Sequence, residues 1–260
     1  MDFALTHEVL GALSRHRGDL VLHANTLLWH DRALAIAGCS GAGKSTTAAG
    51  LIQRGATLIA DDVTVLRPGD HDQMVVRRGA PQLHLTRSAA ERLGLAQGAL
   101  PSPVHSAKVI VSLDESTSPV APASSALEEW RPDLSAPGLR DLVLLEPGDG
   151  PHVQLSRLRG SELFLALQHC LYGPLKPCDT PASFRLQALL ARSVRVWRLQ
   201  RPQERWCLDE VLDVLEQSLG TAAAPFDQDP PTSAEQRLSP ADGRPHPDHA
   251  SRRCDGHRHR

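Results

Sequence analysis

The eight residues GCSGAGKS at positions 38–45 constrain the fold of this chain more than any other stretch. They match the pattern G-x-x-x-x-G-K-[ST], and they lie between an apolar run, RALAIA, and a segment with helical character at 44–54. Glycines at 38, 41 and 43 permit backbone conformations that residues with a Cβ resist. This strand, loop and helix predict an α/β protein in which successive backbone N–H groups converge on an anion.

Phosphate is the anion that this pattern favours, because the helix dipole adds about half a positive charge at the same point. Lys44 is expected to reach the β- and γ-phosphates of a nucleotide, and the Ser45 hydroxyl to coordinate Mg²⁺. A glycine-rich turn without any ligand is the alternative. The predicted nucleotide-binding residues are Gly38, Cys39, Ser40, Gly41, Ala42, Gly43, Lys44, Ser45 and Thr46.

Two carboxylates follow at the end of the next apolar run, LIADD, at positions 58–62. Adjacent residues of a strand point to opposite sides unless the strand has already ended, so Asp61 and Asp62 are predicted to serve different purposes. We predict Asp61 as a ligand in the metal shell and Asp62 as a general base that accepts a proton from a substrate hydroxyl. Capping of the following turn is the alternative for either carboxylate.

Composition excludes several other classes of protein. The 260 residues are 41% hydrophobic, enough for a packed core, and 28 basic against 30 acidic residues give a formal net charge of −2. Nothing in this balance favours a nucleic acid or a membrane as partner. No apolar run reaches the roughly 20 residues that span a bilayer. The five cysteines form no CxxC pair, which suits reduced thiols and a cytoplasmic location.

Three regions differ in composition. Residues 1–219 alternate strand and helix patterns and are predicted to form one catalytic domain with a mixed sheet. Within it, the Pro-, Ser- and Ala-rich stretch 115–138 is predicted to be an exposed linker or mobile loop. Residues 220–260 are almost free of aliphatic side chains and are predicted to be a disordered tail.

Several elements are predicted within the domain. Residues 20–31 and 32–40 read as two strands joined by an Asp-Arg turn, and the strands that flank the helix at 44–54 are expected to run parallel. A hairpin should turn at 68–70. Further strands are expected at 107–113, 141–148 and 195–202, and helices at 86–93, 161–173 and from 208 onward.

The stretch LHANTLLWHDRALAIAGCSGAGKSTTAAGLIQRGATLIADDVTVL, residues 22–66, resembles the core of the HPr kinase/phosphorylase family and its shorter relatives, which lack the N-terminal domain. That family has a histidine ahead of the second strand, the loop, an Arg-Gly step and a strand ending in Ala-Asp-Asp. His23, Lys44, Arg54 with Gly55, and residues 60–62 occupy these places. The segments 77–94 and 189–216 resemble later parts of the shorter relatives.

The resemblance implies a phosphoenolpyruvate carboxykinase/HPr kinase-like fold, ATP and Mg²⁺ as cofactors, and Asp62, His23 and Lys44 as catalytic residues, with Ser45 as a metal ligand. It implies a serine kinase whose partner is a small protein or peptide carrying a Ser or Thr hydroxyl, and a homo-oligomer of the ring type common in that family. One departure is Arg77, which stands where the family has a metal-binding glutamate. A small-metabolite kinase related to phosphoenolpyruvate carboxykinase and a non-catalytic ATP-sensing regulator are the alternatives.

Overall fold

A mixed six-stranded sheet carries the glycine-rich loop at the carboxyl end of one of its inner strands. The computed structural model describes residues 3–103, 107–113, 136–173 and 180–219. The strands are β1 (Leu20–Leu22), β2 (Ala24–Trp29), β3 (Arg32–Gly38), β4 (Thr57–Ala60), β5 (Thr64–Pro68), β6 (Met74–Val76), β7 (Gln82–Thr86), β8 (Leu100–Pro101), β9 (Lys108–Ser112), β10 (Leu139–Pro147), β11 (Gln154–Arg157) and β12 (Arg195–Arg201). The helices are α1 (Phe3–His16), α2 (Lys44–Gln53), α3 (Arg87–Arg92), α4 (Gly160–Cys170), α5 (Pro181–Ser193) and α6 (Leu208–Leu219).

The strand order of the central sheet is β11-β12-β10-β3-β2-β4. Strands β3, β10 and β12 pair in parallel, whereas β2 pairs antiparallel with both β3 and β4. Strands β3 and β4 therefore run in the same direction, as predicted, but β2 lies between them. The prediction of a mixed α/β architecture is confirmed.

Side chains of the central strands alternate between two apolar clusters, one on each face. On β3, Leu34 and Ile36 pack with α2 and α6, while Ala33, Ala35 and Ala37 face the cluster that contains residues of α4 and α5. This alternation follows from the two-residue period of a strand. The cluster on the α2 side also takes residues of the small sheet β7-β9-β8, and the opposite cluster takes residues of β1-β5-β6.

Two local features differ from the sequence-based expectation. The strand expected at 20–31 is split at His23 into β1 and β2, which belong to different sheets. The β2–β3 hairpin turns at His30 and Asp31, with φ of 49° and 60°, one residue before the expected Asp-Arg step. Both residues adopt positive φ, which is typical of the tight turns that suit the twist of a hairpin.

The other predicted elements occur close to their expected positions. The hairpin β5–β6 is present, with a 3₁₀ turn at Asp70–Asp72, and the apolar stripe of α6 is buried. Helices α1 and α5 were not predicted. Most of the stretch 115–138 and the whole tail 220–260 lie outside the described residues, so the predicted loop, tail and domain division stay predictions. None of the described helices has the length and apolar character needed to cross a bilayer.

Candidate active site

The predicted site residues lie at the side of the sheet where the four strands that run in the same direction have their carboxyl ends. Strands β3, β4, β10 and β12 all finish there, and β1 ends beside them at His23. In open α/β sheets, ligands bind outside the carboxyl ends of the strands, because the loops that leave these ends can diverge and form a crevice. The order of the strands thus brings together residues that are up to about 180 positions apart in the sequence.

The glycine-rich loop connects β3 to α2 with three glycines at positive φ. Gly38, Gly41 and Gly43 have φ of 147°, 82° and 98°. A Cβ at position 38 would lie 2.7 Å from the carbonyl oxygen of Leu145, so the loop also needs glycine for its close approach to β10. Gly43 is the N-cap of α2 and offers no side chain to the first-turn N–H groups, which leaves them open to an anion.

Lys44 folds back over the loop that precedes it. Its Nζ donates to the carbonyl oxygens of Gly38 at 2.9 Å and Cys39 at 3.4 Å, and it lies 3.0 Å from His23 Nε2. Three protein acceptors thus satisfy the three N–H donors of the ammonium. A bound polyphosphate would have to replace at least one of them.

His23 connects Lys44 to Asp62. Its Nδ1 lies 3.1 Å from the Asp62 carbonyl oxygen and 3.5 Å from Asp62 Oδ1. Both contacts agree with one neutral tautomer, in which Nδ1–H donates to Asp62 and Nε2 accepts from Lys44. Burial lowers the pKa of His23 below its ordinary value of 6.5, Lys44 lowers it further, and Asp62 opposes the shift. Burial likewise lowers the pKa of Lys44, against the opposing charge of Asp62.

Asp62 occupies a strained turn just beyond the end of β4. Its φ is 64°, and the N–H of Val63 donates to the carbonyl of Asp61 at 2.7 Å, which closes a three-residue turn around Asp62. Positive φ is uncommon outside glycine, although aspartate tolerates it better than most residues. The turn separates the two carboxylates: Asp61 is buried, whereas the Asp62 side chain keeps 32% exposure and can meet a solute.

Asp61 lies in a buried polar network. Its Oδ2 accepts from the backbone N–H of His84 at 2.8 Å and lies 2.8 Å from His84 Nδ1, while its Oδ1 accepts from Asn25 Nδ2. The same Asn25 amide nitrogen lies 3.4 Å from Ser45 Oγ. Asn25 therefore links the two residues that were predicted as metal ligands.

The chemistry of this donor set fits a magnesium ion. Mg²⁺ prefers oxygen ligands and usually keeps several waters, so one hydroxyl and one carboxylate are a sufficient protein contribution. A carboxylate offers about four acceptor positions, and three donors already use positions on Asp61. Ser45 and the remaining position on Asp61 Oδ1 are the groups that would hold the ion. Among the described residues, no group of three or more His, Cys, Asp or Glu side chains is placed to bind a metal.

Three residues of this region, Asn25, His84 and Arg201, are not among the site residues predicted from the sequence. The Arg201 guanidinium donates to the carbonyl oxygen of Ala42 in the glycine-rich loop, from Nε at 3.1 Å and from Nη2 at 2.8 Å. A signal for Arg201 was present, since a basic residue at the carboxyl end of a strand parallel to β3 falls at the ligand-binding edge.

Arg77 interacts electrostatically with other charged side chains. Its backbone N–H donates to Val65 at 2.9 Å. Burial lowers the pKa of its guanidinium, and the charges that act on it belong to Arg67, Asp19 and Arg17. Two residues further on, the N–H of Gly79 donates to the carbonyl of Ile59 on β4.

These features define a mixed α/β protein with a glycine-rich loop, a lysine and a carboxylate pair at the carboxyl ends of the strands. No model of a known protein family matches the chain, and no curated protein matches it. A solved structure described as the Hpr(Ser) kinase/phosphatase from Coxiella burnetii is similar to it, with 14% sequence identity, a TM-score of 0.33, and coverage of 75% of this chain and 93% of that chain.

Proposed function

We propose that this protein is an ATP-dependent kinase of the HPr kinase type, which transfers the γ-phosphate to a Ser or Thr hydroxyl of a small protein or peptide. The observation that carries the proposal is the position of Asp62, a reachable carboxylate 3.5 Å from His23, whose other ring nitrogen lies 3.0 Å from Lys44. One histidine therefore contacts both the proposed proton acceptor and the proposed phosphate-binding cation. The residues 38–46 would bind the nucleotide, and Ser45 and Asp61 would hold Mg²⁺.

In the proposed reaction, the acceptor hydroxyl oxygen bonds to the γ-phosphorus as the bond from that phosphorus to the bridging oxygen of ADP breaks. The Asp62 carboxylate takes the hydroxyl proton, and ADP leaves with the electron pair of the broken bond. Lys44 and the loop N–H groups stabilise the charge on the phosphate oxygens, and bound Mg²⁺ would neutralise part of the same charge. His23 contacts both Asp62 and Lys44 and would fix their positions relative to each other.

Substitution of Asp62 by Asn tests the proposal. Asn tolerates positive φ as well as Asp, so the turn is preserved while the proton acceptor is lost. We expect phosphate transfer from γ-labelled ATP to fall by about 10²- to 10⁴-fold, with ATP affinity within about threefold of the original protein. The matched control is Asp72→Asn, since Asp72 is exposed and has φ of 58°. Transfer by D62N at the original rate would remove Asp62 from this role.

The acceptor distinguishes the proposed kinase from its two alternatives. Candidate acceptors are small proteins and peptides, including those encoded beside this chain, and they are incubated with labelled ATP and separated by mass. Label on a Ser or Thr supports the proposal. Label only on a small hydroxyl metabolite favours the metabolite kinase, and tight Mg-ATP binding without transfer to any acceptor favours the ATP-sensing regulator.

A further inference from the structure

Arg201 is fixed beside the glycine-rich loop by both its backbone and its side chain. It ends β12, whose parallel neighbour β10 is in turn parallel to β3, so Arg201 and Gly38 finish at the same edge. The N–H of Gly148 donates to the Arg201 carbonyl at 2.9 Å, which fixes the strand end. From there the guanidinium directs two N–H groups at the Ala42 carbonyl oxygen.

This contact determines which way one peptide group of the loop faces. In a planar trans peptide, the carbonyl of one residue and the N–H of the next point in opposite directions. Because Arg201 holds the Ala42 carbonyl on its own side, the N–H of Gly43 points away from the guanidinium. Gly43 has φ of 98°, and a glycine can adopt either sign of φ at little cost. The peptide between Ala42 and Gly43 can therefore rotate unless a partner selects one orientation.

The fit between Arg201 and the loop depends on the same glycine. A Cβ at position 43 would lie 3.3 Å from Arg201 Nη2 and 3.7 Å from its Cζ and Nε. A side chain there would contact the guanidinium and disturb its two hydrogen bonds to the carbonyl oxygen of Ala42. Glycine at this position thus serves the backbone conformation and the approach of Arg201 together.

We infer that Arg201 is a positioning residue for polyphosphate binding: it holds the Ala42–Gly43 peptide so that the Gly43 N–H donates to the bound nucleotide phosphates. The inference rests on the proposed function, since it assumes that the loop binds a nucleotide. Arg201 acts through the loop backbone. Without it, only a fraction of the molecules presents this N–H, and the apparent affinity falls by that fraction.

The experiment measures Mg-ATP binding to the full chain by calorimetry for the original protein, R201Q and R201K. Loss of a hydrogen bond from a charged group corresponds to about a tenfold weakening or more, so we expect the dissociation constant of R201Q to rise by at least about tenfold. R201K retains the charge but cannot make both hydrogen bonds in the same geometry, so we expect it to lose less affinity for Mg-ATP than R201Q. The matched control is R198Q, because Arg198 lies on the opposite face of β12 and pairs with Glu146 at 3.0 Å.

A second measurement separates positioning from general support of the fold. With ¹⁵N-labelled glycine, the Gly43 amide resonance of the original protein should shift on addition of Mg-ATP. In R201Q that shift should shrink while the thermal midpoint stays near that of R198Q. If R201Q is unstable, R201K provides the same comparison.

Two results would overturn the inference in different ways. If the original protein binds Mg-ATP and both Arg201 variants bind it within about twofold of the same affinity, the role of Arg201 is wrong and the proposed function stands. If the original protein does not bind Mg-ATP, the proposed function fails, and the inference fails with it.

Discussion

At the scale of single residues, the protonation state of His23 decides whether the site keeps its arrangement. The neutral ring donates from Nδ1 to Asp62 and accepts at Nε2 from Lys44, at 3.1 and 3.0 Å. A second proton would leave Nε2 with no lone pair for the Lys44 ammonium and would place two cations in contact. The pKa of His23, lowered by burial, agrees with this arrangement because it favours the neutral ring.

His23 therefore predicts a dependence of stability on pH. Its pKa is lower in the folded protein than the ordinary value of 6.5, so between these two values the unfolded chain binds more protons. The contribution of His23 is fully present above pH 6.5 and is lost as the pH falls through the folded-state pKa. We expect the free energy of unfolding, measured by urea titration, to fall over this window, and H23Q to show a smaller fall.

The control for this measurement is H169Q, because His169 is exposed on α4. That variant should follow the same pH curve as the original protein. A fall of equal size in H23Q and the original protein would show that other groups cause the pH dependence.

The sequence alone identifies the residues whose type and spacing indicate phosphate chemistry. Lys44, Ser45 and the pair Asp61 and Asp62 belong to short local patterns, and the structure places all of them at one edge. Asn25 has no such pattern, since a single polar residue in an apolar strand has many explanations. Its role appears only when β2 lies beside β4 and brings the amide to Asp61.

At the scale of elements, one buried ion pair joins β12, which carries Arg201, to β10, which lies beside β3 and the glycine-rich loop. Asp141 on β10 accepts from Arg195 on β12 at 2.8 and 2.7 Å, and it also accepts from Trp197 Nε1 at 2.8 Å. Both charged side chains are less than a tenth exposed. Asp141 and Arg195 are direct neighbours in the parallel register, so the pair fixes the alignment of the two strands.

Asp141→Asn should destabilise the fold strongly, because it leaves the Arg195 guanidinium buried without its counter-charge. Removal of one partner of such a pair costs about 3–5 kcal/mol. The comparison is Glu146→Gln on the same strand, whose partner Arg198 is about a third exposed. That change should cost less than about 1 kcal/mol. Urea titration measures both, and equal losses would contradict this account.

The order of the elements was predictable only where neighbours in sequence are neighbours in space. The hairpin β5–β6 and the unit β3–α2 follow from local patterns, as does the buried stripe of α6. The division of the first strand at His23 does not follow from a local pattern, because β1 pairs with β5 whereas β2 pairs with β3. Such a division depends on long-range strand pairing, which the hydrophobic pattern of residues 20–29 does not encode.

At the scale of the whole molecule, the site depends on a helix, α6, that supplies none of the predicted site residues. Helix α2 begins at Lys44, and its opposite side packs on α6: a Cβ on Gly50 would lie 2.8 Å from Leu212 Cδ1 and 3.3 Å from Leu208 Cδ2. The stripe that α6 buries consists of Leu208, Val211, Leu212, Leu215 and Leu219. The position of Lys44, the proposed phosphate-binding lysine, is thus supported by packing of α2 against a helix far away in the sequence.

Two shortened chains test the predicted boundary at residue 219. A chain of residues 1–219 keeps all of α6, so we expect its thermal midpoint to stay within about 2 °C of the full chain and its Mg-ATP affinity to be unchanged. A chain of residues 1–207 loses five buried aliphatic side chains worth about 1.5–3 kcal/mol each. That sum is comparable to the whole stability of a domain, about 5–15 kcal/mol, so the shorter chain should not fold. A drop of more than about 5 °C for residues 1–219 would instead place part of the tail in the folded domain.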